Sequence, residues 1–149
     1  MQKCTLALGC FWKPEENFKN KPGILDTEVG YAGGKKPNIT YEEVCNGDTG
    51  HAEVIKLSFD EQIITYEKIL DLFFKMHDPT QKDMQYPDIG NQYRSEIFYE
   101  NEIQKKKAIE IKNEFNKKYN GKIETNISKI YNYCKAEEYH QKYIEKKRG

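Results

Sequence analysis

Four cysteines, three histidines and a single tryptophan are the first places to look for chemistry in this 149-residue chain. Cys10 holds the most suggestive position. It follows a short apolar run, Cys4 to Leu8, and Gly9, and it precedes a helix that opens with Pro14-Glu15-Glu16. Proline suits the first turn of a helix. A cysteine there meets free N–H groups and the positive end of the helix dipole, which favour the thiolate, its nucleophilic form. The alternative is a small buried hydrophobe, a common fate of cysteine. Phe11 and Trp12 follow directly and could wall an apolar pocket or simply serve the core.

Glu53 is the informative carboxylate. If Ala52 to Phe59 is a strand, then Glu53, Ile55, Leu57 and Phe59 share one face. A carboxyl group in line with three large apolar side chains is partly desolvated. Desolvation raises its pKa and allows general-acid work near neutral pH. The alternative is a solvated carboxylate at the mouth of the strand. His51 could act as a base or as a hydrogen-bonding loop residue. His77 closes a helix, where it can bond the last carbonyls. His140 falls on a stripe with Ala136, Tyr139, Tyr143 and Ile144, which suits a histidine of the core or a pocket edge. Tyr41 and Tyr93 are two of eleven tyrosines. Two phenols reaching one pocket can hydrogen-bond a polar S–O or C–O oxygen. The polar loop Asp88 to Arg94 carries Gly90, which permits unusual backbone angles.

The elements that must position these residues are readable from periodicity and punctuation. Cys4 to Leu8 reads as a strand, and Glu15 to Asn20 as a helix ending before Pro22-Gly23. Leu25, Thr27, Val29 and Tyr31 alternate as a strand does. Thr40 and Glu43 form a capping-box pattern for a short helix closed by Gly47. On that helix Tyr41, Val44 and Cys45 share a face, so Cys45 is expected to be buried. Ala52 to Phe59 is a strand. Tyr66 to Met76 is an amphipathic helix with Ile69, Leu72, Phe73 and Met76 inward. Gln81 to Tyr93 is a long loop, a common place for function. Ser95 to Tyr99 is a strand and Ile103 to Tyr119 a long helix. Ile123, Thr125, Ile127 and Tyr131 belong to a last strand, and Ala136 to Lys146 to a last helix. Strands and helices mix without strict alternation, and no phosphate-binding glycine fingerprint follows the first strand. The expected fold is α+β, a single-domain two-layer sandwich with a mixed sheet, spanning residues 1–149.

Composition narrows the function classes. The charge is balanced, 24 Lys and Arg against 24 Asp and Glu, which does not suit a basic nucleic-acid binder. The run Lys146-Lys147-Arg148 reads as a solvated helix end. No apolar stretch approaches the roughly 18 residues of a membrane span. The N-terminus lacks the features of a signal peptide, so a cytoplasmic protein is expected. Cysteine spacing shows neither C-x-x-C pairs nor a histidine cluster, so no metal site is expected, and the cysteines read as free thiols.

The residues also spell a family. Gly9-Cys10-Phe11-Trp12, Val29-Gly30-Tyr31-Ala32-Gly33-Gly34 and Tyr41-Glu42-Glu43-Val44-Cys45 occur in order. Gly50-His51-Ala52-Glu53, His77-Asp78-Pro79-Thr80, Gly90-Asn91-Gln92-Tyr93-Arg94-Ser95 and Ala136-Glu137-Glu138-Tyr139-His140-Gln141 follow. These collinear blocks resemble those of the A-type peptide methionine sulfoxide reductases and cover nearly the whole chain. The resemblance implies a ferredoxin-like α+β sandwich and reduction of the S epimer of methionine sulfoxide, free or in proteins. It implies Cys10 as nucleophile, Glu53 as the acid that protonates the sulfoxide oxygen, and Tyr41 and Tyr93 as the phenols that hold that oxygen. Phe11 and Trp12 resemble the pocket for the S-methyl group, Asp88 an acidic residue at its rim, and His140 a further pocket residue.

That chemistry leaves Cys10 as a sulfenic acid that a second thiol must reduce. Many family members carry recycling cysteines in a glycine-rich C-terminal tail. Here no cysteine follows Cys134. Among Cys4, Cys45 and Cys134, Cys134 is the best placed to resolve the intermediate. The preferred expectation is an external thiol, from thioredoxin, glutaredoxin or a small thiol, with no bound cofactor and a monomeric protein. The family pattern departs at Lys13, where a small residue is common. Two rival readings are a cysteine hydrolase using His51 or His140 as base, and a non-catalytic module that binds oxidised methionine.

Overall fold

The structure is a computed structural model that describes residues 2–148, Arg148 without its side chain. The expectations placed on Met1 and Gly149, and on the Arg148 side chain, lie outside the described residues. The chain forms β1 (Gln2–Leu8), α1 (Trp12–Phe18), β2 (Ile24–Ala32), α2 (Tyr41–Cys45), β3 (Ala52–Phe59) and α3 (Tyr66–Met76). It continues through β4 (Met84–Gln85), β5 (Asp88–Ile89), β6 (Ser95–Tyr99), α4 (Glu102–Lys118), β7 (Asn126–Lys129), β8 (Cys134–Lys135) and α5 (Tyr143–Arg148). Single 3₁₀ turns occupy Asn91–Tyr93 and Glu138–His140.

The main sheet runs β7-β6-β1-β3-β2-β8. Only β6 and β7 are parallel; the other neighbours are antiparallel, so the sheet is mixed. β3 lies between β1 and β2, and β1 between β3 and β6. The crossovers β1-α1-β2 and β3-α3-β6 therefore interleave, which is the split βαβ arrangement of a ferredoxin-like plait. This is the expected α+β sandwich. Among the described residues no helix is long and apolar enough to cross a membrane.

Strand register decides which side chains meet. Leu6 faces Ile55 and Ile97, and Cys4 faces Leu57, so alternate residues of three strands build one apolar face. Helices α3 and α4 and Phe18 of α1 cover it. Phe74 stacks on Phe115 across the two helices, with ring centroids 5.0 Å apart. The buried stripe of α3 is Tyr66, Ile69, Leu70, Phe73 and Phe74. Leu72 and Met76, expected to lie fully inward, are only partly buried, because the helix turns its 66/69/70/73/74 edge to both the sheet and α4.

Several boundaries differ from the pattern reading. The alternation of β2 is broken by a bulge between Ile24 and Asp26. Leu25 is consequently exposed and Ile24 takes the inward place. Helix α1 starts at Trp12, three residues before the expected Glu15, with Pro14 inside its first turn. Proline costs nothing there, since first-turn N–H groups have no partner within the helix. Cys10 and Phe11 thus lead directly into the helix. Glu15 anchors α1: its buried carboxylate accepts from Thr27 Oγ1 at 2.8 Å and from the Lys142 amide. The expected last helix, Ala136 to Lys146, is broken into the 3₁₀ turn and α5. The Gln141 side chain bonds Val29 N, Val29 O and Ala136 O at 2.9 Å each, and Lys142 adopts a positive φ of 51°. That clamp to β2 is incompatible with a continuous helix. Lys146 and Lys147 are exposed, as expected of a helix end. Short α2 carries the full capping box between Thr40 and Glu43.

The face that holds the plait together predicts its own weak point. Phe73→Ala removes a fully buried ring from the α3–sheet interface and should lower unfolding free energy by about 3–5 kcal/mol, read as a shifted urea midpoint.

Candidate active site

Tyr31 of β2 pairs with Glu53 of β3, so both point to the same face of the sheet. It is the face that carries Ile55 and Leu57, and Glu53 sits at its open end, 1% exposed. The Glu53 Oε1 accepts from the Phe11 amide at 3.3 Å. Its Oε2 is buried and has no hydrogen-bond partner among the described residues. Burial raises the carboxyl pKa to about 8, the Phe11 bond opposes that rise, and the charge of Asp88 adds to it. The group is therefore largely protonated at neutral pH, a carboxylic acid with one free oxygen.

Cys10 is half-buried beside it. Burial pushes its thiol up to about 12, the Trp12 N–H pulls it down, and Glu53 and Asp88 push it up again. This corrects the expectation of a resting thiolate. The helix N-terminus supplies its donor as expected, but burial and two nearby carboxyl groups outweigh it.

Tyr41 and Tyr93 both lie within the electrostatic reach of Glu53 and of each other. Tyr93 also senses Asp88 and Cys10, and burial raises its phenol to about 12. Burial raises Tyr41 as well, so both phenols remain O–H donors. The Cys45 thiol, one helical turn on, adds to the effect of burial on Tyr41. Cys45 is exposed, against expectation, since five-residue α2 buries only Val44 and leaves the Tyr41–Cys45 edge at the rim.

The aromatic wall is organised by His140. Trp12 Nε1 donates to His140 Nδ1 at 3.0 Å. An indole can only donate, so Nδ1 is the acceptor and the imidazole proton sits on Nε2. Burial lowers the pKa of this histidine, with Glu137 opposing, and keeps it neutral. Trp12 stacks on Tyr143 at 3.8 Å. Phe11 and Tyr41 approach His140 at 5.2 and 4.5 Å. Glu137 fastens the assembly from behind, accepting from Tyr31 Oη at 2.8 Å and from Tyr41 N at 3.0 Å. Glu137, Tyr143 and Tyr31 are members of this site that pattern reading did not single out. Neither the stripe nor the alternation in which they sit marks them as different from core residues.

The structure thus brings together Cys10, Phe11, Trp12, Tyr41, Glu53, Asp88, Tyr93 and His140. It does not include His51, whose Nε2 bonds Lys36 O at 2.8 Å while its ring packs against Gly34. His77 is held between Phe73 O at 2.6 Å and Ser95 Oγ at 2.7 Å and is kept neutral by burial, its pKa lowered to about 4. With His140 Nδ1 committed to Trp12, the base a cysteine hydrolase needs is not supplied. Cys134 pairs with Tyr31 on the outer side of β2. Two strand spacings, about 10 Å, separate β8 from β3. Among the described residues no three His, Cys, Asp or Glu side chains converge as metal ligands would.

A protonated acid, two phenols and a thiol around an aromatic pocket are the equipment of a thiol-dependent oxidoreductase that removes oxygen from a polar, uncharged group. The sequence of the family described as peptide methionine sulfoxide reductase matches residues 2–149, and the chain belongs to that family. A peptide methionine sulfoxide reductase of Pelagibacter ubique is 52% identical over 99% of this chain and 100% of its own. The reduced form of Mxr1 from Saccharomyces cerevisiae superposes with a TM-score of 0.94 at 41% identity, covering 99% of this chain and 86% of that one. Mxr1 in complex with Trx2 matches at 0.69 and 30% identity, covering 95% and 84%.

The raised carboxyl has a consequence for stability. Its folded pKa of about 8 lies above the ordinary 4.5, so folding favours the protonated form. That contribution is whole below pH 4.5 and is lost as pH rises through 8. Glu53→Gln should remove this loss, on the order of 5 kcal/mol at most. Urea midpoints at pH 4.5 and 8.5 test it: an equal drop in both proteins would refute the burial of a titrating acid.

Proposed function

We propose that this protein reduces the S epimer of methionine sulfoxide, free or within proteins, to methionine and so repairs oxidised chains. The observation that carries the reading is the unpartnered oxygen of a buried, protonated Glu53 beside the Cys10 thiol. Sulfoxide sulfur is a poor electrophile until its oxygen gains a proton. Glu53 supplies that proton while Tyr41 and Tyr93 donate to the same oxygen. Cys10 Sγ attacks sulfur, and its own proton replaces the one Glu53 gave; the transient S–S bond and the sulfoxide S–O bond then break as the oxygen passes to Cys10 Sγ and methionine leaves. The balance is Cys10–SH plus the sulfoxide giving Cys10–SOH plus methionine; carbon–sulfur bonds are untouched, sulfoxide sulfur is reduced and Cys10 sulfur oxidised. Phe11 and Trp12 receive the S-methyl group, with His140 holding Trp12, and Asp88 stands at the rim. A chiral sulfur fixed at its methyl, its oxygen and its line of attack can be met productively in one configuration only, which favours epimer selection.

Recycling is assigned to an external thiol. Cys4 is fully buried in the core, Cys45 stands exposed on α2 one turn beyond Tyr41, and Cys134 sits on edge strand β8 beyond β2 with its thiol directed to the Ile39 and Lys135 carbonyls. A disulfide needs Cα atoms within about 7 Å. The family's Mxr1–Trx2 complex supports a protein dithiol as donor, with glutaredoxin or a small thiol as alternatives. The reducing cytoplasm supplies such thiols, and the reading places the protein there. A stoichiometric Cys10–Cys134 disulfide in peptide maps after one equivalent of sulfoxide would defeat this part.

Three outcomes test the chemistry. Cys10→Ser should abolish reduction of a dansylated methionine S-sulfoxide, and Glu53→Gln should slow the single-turnover step by about 10² to 10⁴. The wild-type single-turnover rate should fall about tenfold per pH unit above pH 8, as Glu53 loses its proton, and Glu53→Gln should not show that fall.

A further inference from the structure

Cys10 faces two environments. One holds the acid, the phenols and the aromatic wall. The other is a cleft of about 280 Å³ lined by Cys10, Lys13, Asn17, Gln85, Tyr86 and Asp88, among others. Cys10 and Asp88 alone are common to both. Helix α1 separates the two sides. Trp12 turns to α5 and stacks on Tyr143. Lys13 and Asn17, one turn apart, share the edge that faces Met76 and His77 across the cleft.

We propose that this cleft is the thiol-binding site of the recycling step, and that it takes a cysteine thiol carried on a short zwitterionic peptide. The inference rests on the external-thiol reading above. It follows from the direction of displacement at sulfur. The sulfenic oxygen of Cys10 is left where the sulfoxide oxygen was, toward Glu53, Tyr41 and Tyr93. An incoming sulfur must approach Cys10 Sγ in line with and opposite the departing oxygen. That line leads away from the acid, into the cleft. The thiol attacks Cys10–S–OH; the S–O bond breaks, an S–S bond forms, hydroxide leaves as water with the proton of Glu53, and the thiol's own proton returns to Glu53. Cys10 sulfur is reduced and the incoming sulfur oxidised. A second molecule of the thiol then releases Cys10–SH and a disulfide.

Size and charge select the ligand. The volume lies at the small end of the roughly 300–1,000 Å³ typical of small-molecule sites. Lys13 is exposed at one wall and Asp88 half-buried at the other, a cation facing an anion. A peptide thiol that carries both carboxylate and ammonium groups matches that pair. Gln85 is held by the Asp78 backbone, its Oε1 accepting from Asp78 N at 3.1 Å and its Nε2 donating to Asp78 O at 2.6 Å. It forms a fixed wall.

The test separates the two half-reactions. The enzyme is first given one equivalent of sulfoxide without thiol, and methionine release and dimedone-trapped sulfenic acid are measured. Glutathione or uncharged 2-mercaptoethanol is then added, and the return of the Cys10 thiol is timed. Asn17→Trp, which fills the cleft, should leave methionine release within twofold of wild type and slow recycling by both thiols at least tenfold. Lys13→Glu, a milder surface change, should slow glutathione at least fivefold and leave 2-mercaptoethanol within twofold. Unchanged recycling in Asn17→Trp overturns the cleft as the thiol path. Loss of methionine release in that folded variant overturns it too, as a substrate path instead. Equal slowing of both thiols by Lys13→Glu overturns the ligand class. An internal disulfide in place of trapped sulfenic acid defeats the external-thiol reading itself, a result distinct from the others.

Discussion

The burial of one carboxyl group organises this molecule's chemistry. Glu53 occupies a position on β3 where the strand's own alternation carries an apolar face out to its edge. A carboxylate there would lose hydration that one backbone amide cannot replace, so the group keeps its proton. Everything else in the site is compatible with that choice. The phenols stay protonated, His140 stays neutral, and Cys10 rests as a thiol. The pocket is polar through dipoles rather than charges, apart from Asp88 at its rim and Glu137 behind its aromatic wall. A sulfoxide is itself a large dipole without charge.

The second constraint is mechanical. Cys10, Phe11 and Trp12 belong to a link between β1 and α1, and a link alone would leave them mobile. Three separate polar clamps remove that freedom. Glu15 ties α1 to Thr27 and to the Lys142 amide. Gln141 ties the C-terminal segment to both backbone groups of Val29. Glu137 ties the same segment to Tyr31 and to the first amide of α2. His140 lies between the last two clamps and meets Trp12. The C-terminal segment thus acts as a strap that converts sheet rigidity into a fixed orientation of the aromatic wall. It breaks its helix to do so.

How much of this the sequence discloses depends on which force sets each feature. Glu53 was legible because period-two alternation is a local property, and burial follows from it. The bounds of α3 and β6 and the capping box of α2 were legible for the same reason. The state of Cys10 was not. A helix start argues for a thiolate, but the opposing carboxyl groups, Glu53 and Asp88, lie far along the chain from Cys10, where no local pattern contains them. The broken last helix was hidden likewise, since the clamp that breaks it acts between Gln141 and Val29. Exposed Cys45 shows a smaller version of the problem: a helix of five residues has too little length for its apolar stripe to predict its depth.

Keeping both Cys10 and Glu53 protonated bears on selectivity. A thiolate at rest would react with any soft electrophile or peroxide reaching the cleft. A thiol pushed up to about 12 does so far more slowly, because the reactive form is scarce. It becomes a nucleophile when a bound oxygen accepts the proton of Glu53, since the vacated carboxylate is then a base beside the thiol. Loss of the thiol proton and activation of the sulfoxide are therefore one event, coupled through a single carboxyl group. The free energy that buries Glu53 in the fold thus also restricts Cys10 to substrates whose oxygen sits at the Glu53 side of the pocket.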